Sequence, residues 1–133
     1  MILIACVDDR LGMLFHNRRQ SQDRILRERI LTLTQNSRLW MNAYSAGQFA
    51  SAPQITVAED FLQQAATGEF CFVENVDPAL ALPRLEKLIL YRWNRSYPGD
   101  FFLNLPLESW RKTASSDFSG SSHEKITEEI YLP

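Results

Sequence analysis

Three short, largely apolar stretches constrain this chain most: "ILIACVD" at 2–8, "EFCFVE" at 69–74 and "EKLILYRW" at 86–93. Charged or turn-forming residues bound each run. Each is too short for a buried helix, so each reads as a strand covered on both faces. Helical spacing lies between them. Leu26, Ile30 and Leu33 recur on one face, with arginines between, which predicts a helix ending near Gln35–Asn36. Ser21 suits its N-cap and Asp23 its first turn, where the helix dipole favours negative charge. "RLWMNAY" and "QITV" read as two further strands, and "AEDFLQQAATG" as a short helix stopped at Gly68. Asp77-Pro78 opens another helix, with proline at its first position. Two late segments, near "SWRKTAS" and "EKITEEIYL", alternate more weakly and are joined by the polar "SSDFSGSSH". A hairpin at a sheet edge suits them.

This order predicts an α/β fold in a single domain, 1–133: a mostly parallel central sheet, flanking helices and a C-terminal antiparallel hairpin. A length of 133 residues fits one domain with a real core. With 45% hydrophobic and 23% charged residues, a soluble, cytoplasmic protein is expected. The apolar opening runs at once into Asp8, Asp9 and Arg10, unlike a signal peptide, and no segment has the length to span a membrane. Cys6 and Cys71 lie in apolar runs and form no metal or disulfide pattern. Charge is uneven: residues 1–40 hold seven arginines against four carboxylates, while the rest holds seven cations against twelve. The basic part suits a phosphate-bearing ligand or a solvated helix face.

The stretch "GMLFHNRRQSQD" at 12–23 combines a glycine, an irregular segment and a carboxylate at a helix mouth. It suits either a ligand pocket or an ordinary connection. As a pocket, its Asp23 carboxylate would hold a ligand or relay a proton, and His16 would be an acid or base facing it. Arg18, Arg19 and Arg24 at the loop–helix junction, and Arg38 before the "LWM" strand, are candidate phosphate ligands. The large aromatics read as core, and His123, in a Ser-rich turn, as solvated. No nucleophile–base pair is visible from spacing, and there is no nucleophile elbow, P-loop or GxGxxG.

The order of these motifs resembles dihydrofolate reductase along nearly the whole chain. "MILIACVDDRLGM" is similar to that family's opening strand and glycine-containing active-site loop. Asp23 falls where that family places its single catalytic carboxylate, which implies a bidentate grip on a protonated, amidine-like ring edge. "LEKLILYRWNRSYPGDFFLNLPLESW" is similar to its Lys-Leu strand, its Gly-Asp and aromatic stretch, and the Trp opening its last hairpin. The resemblance implies a small-molecule ligand and NADPH as the cofactor, with Ser45, Arg38 and Asn75 about its phosphates. Ala5, Arg18 and Tyr91 would face the substrate. Three positions depart from the family. Glu74-Asn75 replaces the glycine pair whose backbone N–H groups approach the phosphates; a side chain blocks that approach, and a carboxylate repels phosphate. Asn42-Ala43-Tyr44-Ser45 replaces the Gly-Arg-His/Lys-Thr motif, and Tyr91 replaces the threonine partnered with the acid. The sequence thus leaves three roles open: a divergent reductase, a binding or interaction domain without the cofactor site, or an RNA-processing protein. The last rests on "ILYRWNRSYPGD" and "GSSHEKITEEIY", which resemble a family of short bacterial proteins, some labelled ribonuclease Z. That enzyme's two-metal site needs a His-x-His-x-Asp-His motif. With only His16 and His123, no metal site is expected, and nucleic acid is not the expected partner of an acidic chain. A shortened sheet would expose an edge that a second copy could cover in a homodimer.

Overall fold

The computed structural model describes residues 1–133. Strand β1 (Ile2–Val7) is the axis of a seven-stranded sheet. It runs parallel to β6 (Phe70–Phe72) on one side and to β7 (Lys87–Arg92) on the other, with Ile2 level with both Phe70 and Lys87. Beyond β6 come β4 (Leu39–Met41) and β5 (Ile55–Val57), also parallel. Beyond β7 come β10 (Ile126–Leu132) and the edge strand β9 (Arg111–Phe118), both antiparallel to their neighbours. The expected mostly parallel α/β sheet with a closing hairpin is therefore present. "SSDF" belongs to β9, so the hairpin connection is shorter than the polar run suggests.

The two-residue period of β1 divides the core. Ile4 and Cys6 face α1 (Arg24–Leu33), where Leu26, Ile30, Met41, Phe72, Ile89, Tyr91, Trp93 and Ile126 pack. Leu3, Ala5 and Val7 face the other layer, built by α3 (Phe61–Gln64), a 3-10 helix over Pro78–Arg84, and Met13, Leu14, Leu103 and Leu105. Each fully buried aliphatic side chain contributes about 1.5–3 kcal/mol.

Local caps follow the sequence with two corrections. Asp23, not Ser21, is the N-cap of α1: it is extended (φ −151°, ψ 127°) and its carboxylate accepts the Leu26 N–H. Helix α3 ends at Ala65, and Gly68 (φ 78°) makes the turn into β6 instead. Asp77 caps the 3-10 helix, with Pro78 at its start as expected. The short helix α2 (Ala43–Ala46) is capped by Asn42.

The segment after β1 is not irregular. Strand β2 (Gly12–Phe15) turns at His16-Asn17 into β3 (Arg18–Arg19) and pairs on its other edge with β8 (Phe101–Phe102). Both turn residues have positive φ, 51° and 62°, as a tight two-residue hairpin demands, and asparagine tolerates this best after glycine.

Candidate functional site

The chain leaves β1 towards α1 on one face and leaves β6 towards the 3-10 helix on the other. Adjacent strands whose continuations part in this way open a crevice at their C-terminal ends, the usual ligand position in such sheets. Here Cys6, Ser21, Asp23, Gln48, Phe49, Phe72, Glu74 and Trp93 line it. The free space is about 20 Å³, room for one water molecule. A larger hollow of about 360 Å³ lies between α3 and the 3-10 helix. Its carboxylates are each tied to a local donor: Glu59 to the Ala43 N–H, Asp60 to Gln64 and Asp77 to the Ala79 N–H.

Asp23 does sit at the crevice, and its carboxylate is saturated. Oδ1 accepts the N–H groups of Leu26 (3.1 Å) and Ser121 (3.0 Å). Oδ2 accepts the N–H (2.8 Å) and hydroxyl (3.0 Å) of Ser122, and His123 Nδ1 lies 3.4 Å away. Burial alone would push this carboxyl up, but the Ser122, Ser121 and Leu26 donors hold it well below the usual aspartate range. The expected bidentate grip on a ring edge has no free lone pair left to use.

The histidine at Asp23 is His123, not His16. His123 is only 4% exposed, against the expected solvated turn. Trp93 stacks on its ring (centroids 4.5 Å apart, planes at 25°). Nε2 meets Tyr97 Oη at 2.9 Å and Ser21 Oγ at 3.2 Å. His16 is exposed in the hairpin turn, against Phe15, and its N–H donates to Asp100.

A second cluster fills the place assigned to cofactor phosphates. Glu74 takes Arg19 bidentately (Nε–Oε2 3.0 Å, Nη2–Oε1 3.2 Å) and accepts the Ser45 hydroxyl at 2.8 Å. Arg19 also stacks on Tyr44 (4.4 Å to the centroid) and donates to its carbonyl. Asn75 accepts from Asn42 Nδ2 at 2.7 Å. Ser45 and Asn75 thus both have partners from the chain itself.

The remaining expected residues lie apart. Arg38 precedes β4, at the opposite end of the parallel strands, where it pairs with Glu69 and packs on Trp40. Ala5 points into the layer away from Asp23; the period of two places Cys6 on Asp23's side. Arg18 is exposed on β3 without an ion pair. Tyr91 is fully buried on the α1 side, and its hydroxyl donates to Glu128 at 2.7 Å, which Arg29 also grips. Burial disfavours both thiolates: burial, with the Glu74 and Asp23 charges, pushes Cys6 up, and burial pushes Cys71 to about 12.

His123, Ser122, Arg19 and Gln48 were not singled out together by the sequence. Arg19 carried a signal as part of a cluster, but nothing local marks residues 121–123 as partners of Asp23. No helix is long and apolar enough to cross a membrane. No protein-family model matches the chain, and no curated protein shows significant sequence similarity to it.

Proposed function

We propose that the chain is a small-ligand-binding domain of dihydrofolate reductase-like fold that works without a dinucleotide cofactor. The Arg19–Glu74–Ser45 cluster carries this reading. Where a phosphate would need open backbone N–H groups, a carboxylate stands instead, and its cation and hydroxyl partners are already supplied. A phosphate entering there would have to displace a bidentate, partly buried ion pair. The element order supports the fold assignment, with an acidic cap at the first helix and a Trp-led closing hairpin. The saturation of Asp23 adds to the case against pterin reduction.

Calorimetric titration with NADPH, at low and moderate salt, tests this. No heat is expected up to millimolar nucleotide. Saturable one-to-one binding would overturn it and restore the reductase reading.

A further inference from the structure

The side chains of Ser21 and Asp23 lie on opposite ring nitrogens of His123. Ser21 Oγ is 3.2 Å from His123 Nε2, and Asp23 Oδ2 is 3.4 Å from Nδ1. We propose that they form a hydroxyl–imidazole–carboxylate relay that makes Ser21 a nucleophile towards carboxylic esters. Four observations carry the inference. The order of groups suits acyl transfer, with the Ser21 hydroxyl on one ring nitrogen and, on the other, Ser122 Oγ (3.0 Å from Nδ1) bridging the ring to Asp23 Oδ2. The ring is fixed by its stack on Trp93 and by burial: the side chains of His123 and Asp23 are 2% and 0% exposed. The Asp23 charge is held in place by three backbone N–H groups, so it can steady an imidazolium without turning away. Finally, Gln48 Nε2 is buried with no hydrogen-bond partner and lines the same crevice as Ser21. An orphaned buried donor calls for an acceptor, and side-chain amides serve as donors to developing oxyanions.

The chemistry closes with water as the only co-reactant. Ser21 Oγ bonds to the ester carbonyl carbon while His123 Nε2 takes the hydroxyl proton. The bond to the leaving oxygen then breaks, and that oxygen takes the proton from Nε2. Water repeats the sequence on the acyl-serine, releasing the acid and restoring Ser21. The crevice itself holds about 20 Å³, the room of one water molecule, so only the carbonyl oxygen enters it, and the acyl and alcohol parts lie on the solvent side of the partly exposed Ser21. Tyr97 Oη shares Nε2 and competes with Ser21 for it at rest.

The test treats the whole chain, free of nucleotide, with an alkyl fluorophosphonate and maps the adduct by peptide mass. p-Nitrophenyl acetate turnover is followed in parallel. The phosphonate is expected on Ser21, and Ser21→Ala should lose both labelling and turnover while keeping its circular dichroism spectrum. Tyr97→Phe should label faster, because it removes the competing hydroxyl. An unmodified wild-type protein, an adduct that persists in Ser21→Ala, or equal turnover by wild type and Ser21→Ala overturns the proposal. None of these outcomes bears on whether NADPH binds.

Discussion

Asp23 shows how one side chain carries both structure and chemistry. It caps α1 and ties residues 121–123 to that helix. Asp23→Asn keeps one carbonyl oxygen but turns an amide NH₂ towards the Ser122 donors. It should cost about 1–3 kcal/mol, the range for an unsatisfied buried group, measured by denaturant unfolding. The sign with pH is fixed by the depressed carboxyl. The stabilisation is fully present above the ordinary aspartate value of 3.8 and is lost progressively as pH falls below it towards the folded-state value. Thermal melts should therefore show wild type losing its margin over Asp23→Asn in acid. Gly120 belongs to the same contact. A Cβ there would fall on the Asp23 carboxylate and come within 2.8 Å of Ile126 Cδ1. Gly120→Ala should cost about 1–3 kcal/mol by overpacking, again read from unfolding curves. At this scale the sequence showed Asp23 as a polar group at a helix start. It did not show what the carboxylate holds, because Ser122 lies 99 residues away.

Secondary elements were legible where a period was strong. The apolar runs of β1, β6 and β7 and the spacing of Leu26 and Ile30 appear as strands and a helix within a few residues of expectation. Ile30 is 1% exposed on α1, so Ile30→Ala should cost about 2–5 kcal/mol, measured by chemical denaturation. The β2–β3 hairpin is not legible in the sequence. Each of its strands is too short to show alternation, and His16-Asn17 lacks the glycine that usually marks such a turn. Asn17→Gly relieves a left-handed non-glycine residue and should raise the melting temperature modestly, by up to about 1 kcal/mol in stability. A fall in melting temperature would contradict this account of the turn. Ala5 and Cys6 teach the same point about faces. A run buried on both sides has no polar alternation to say which residue faces α1, so Cys6 rather than Ala5 reached the crevice unannounced.

For the whole molecule, stability should grade from the sheet centre outward. β1 and β7 are almost wholly buried, while β9 is exposed along nearly its entire length. Native-state hydrogen exchange should find the slowest amides in β1 and β7 and the fastest strand amides in β9; equal protection across the sheet would contradict the grading. By itself the sequence determined the α/β class, the central strands, the first helix and the closing hairpin. Those follow from local periodicity and from caps that act within one turn of chain. Only the tertiary structure decided that Asp23 meets Ser122 and His123, that Arg19 closes on Glu74 across 55 residues, and that Arg38 falls at the far end of the sheet. The physical reason is that strand order and crossover face set which loops converge. A side chain's partner across such a gap leaves no trace in the residues beside it.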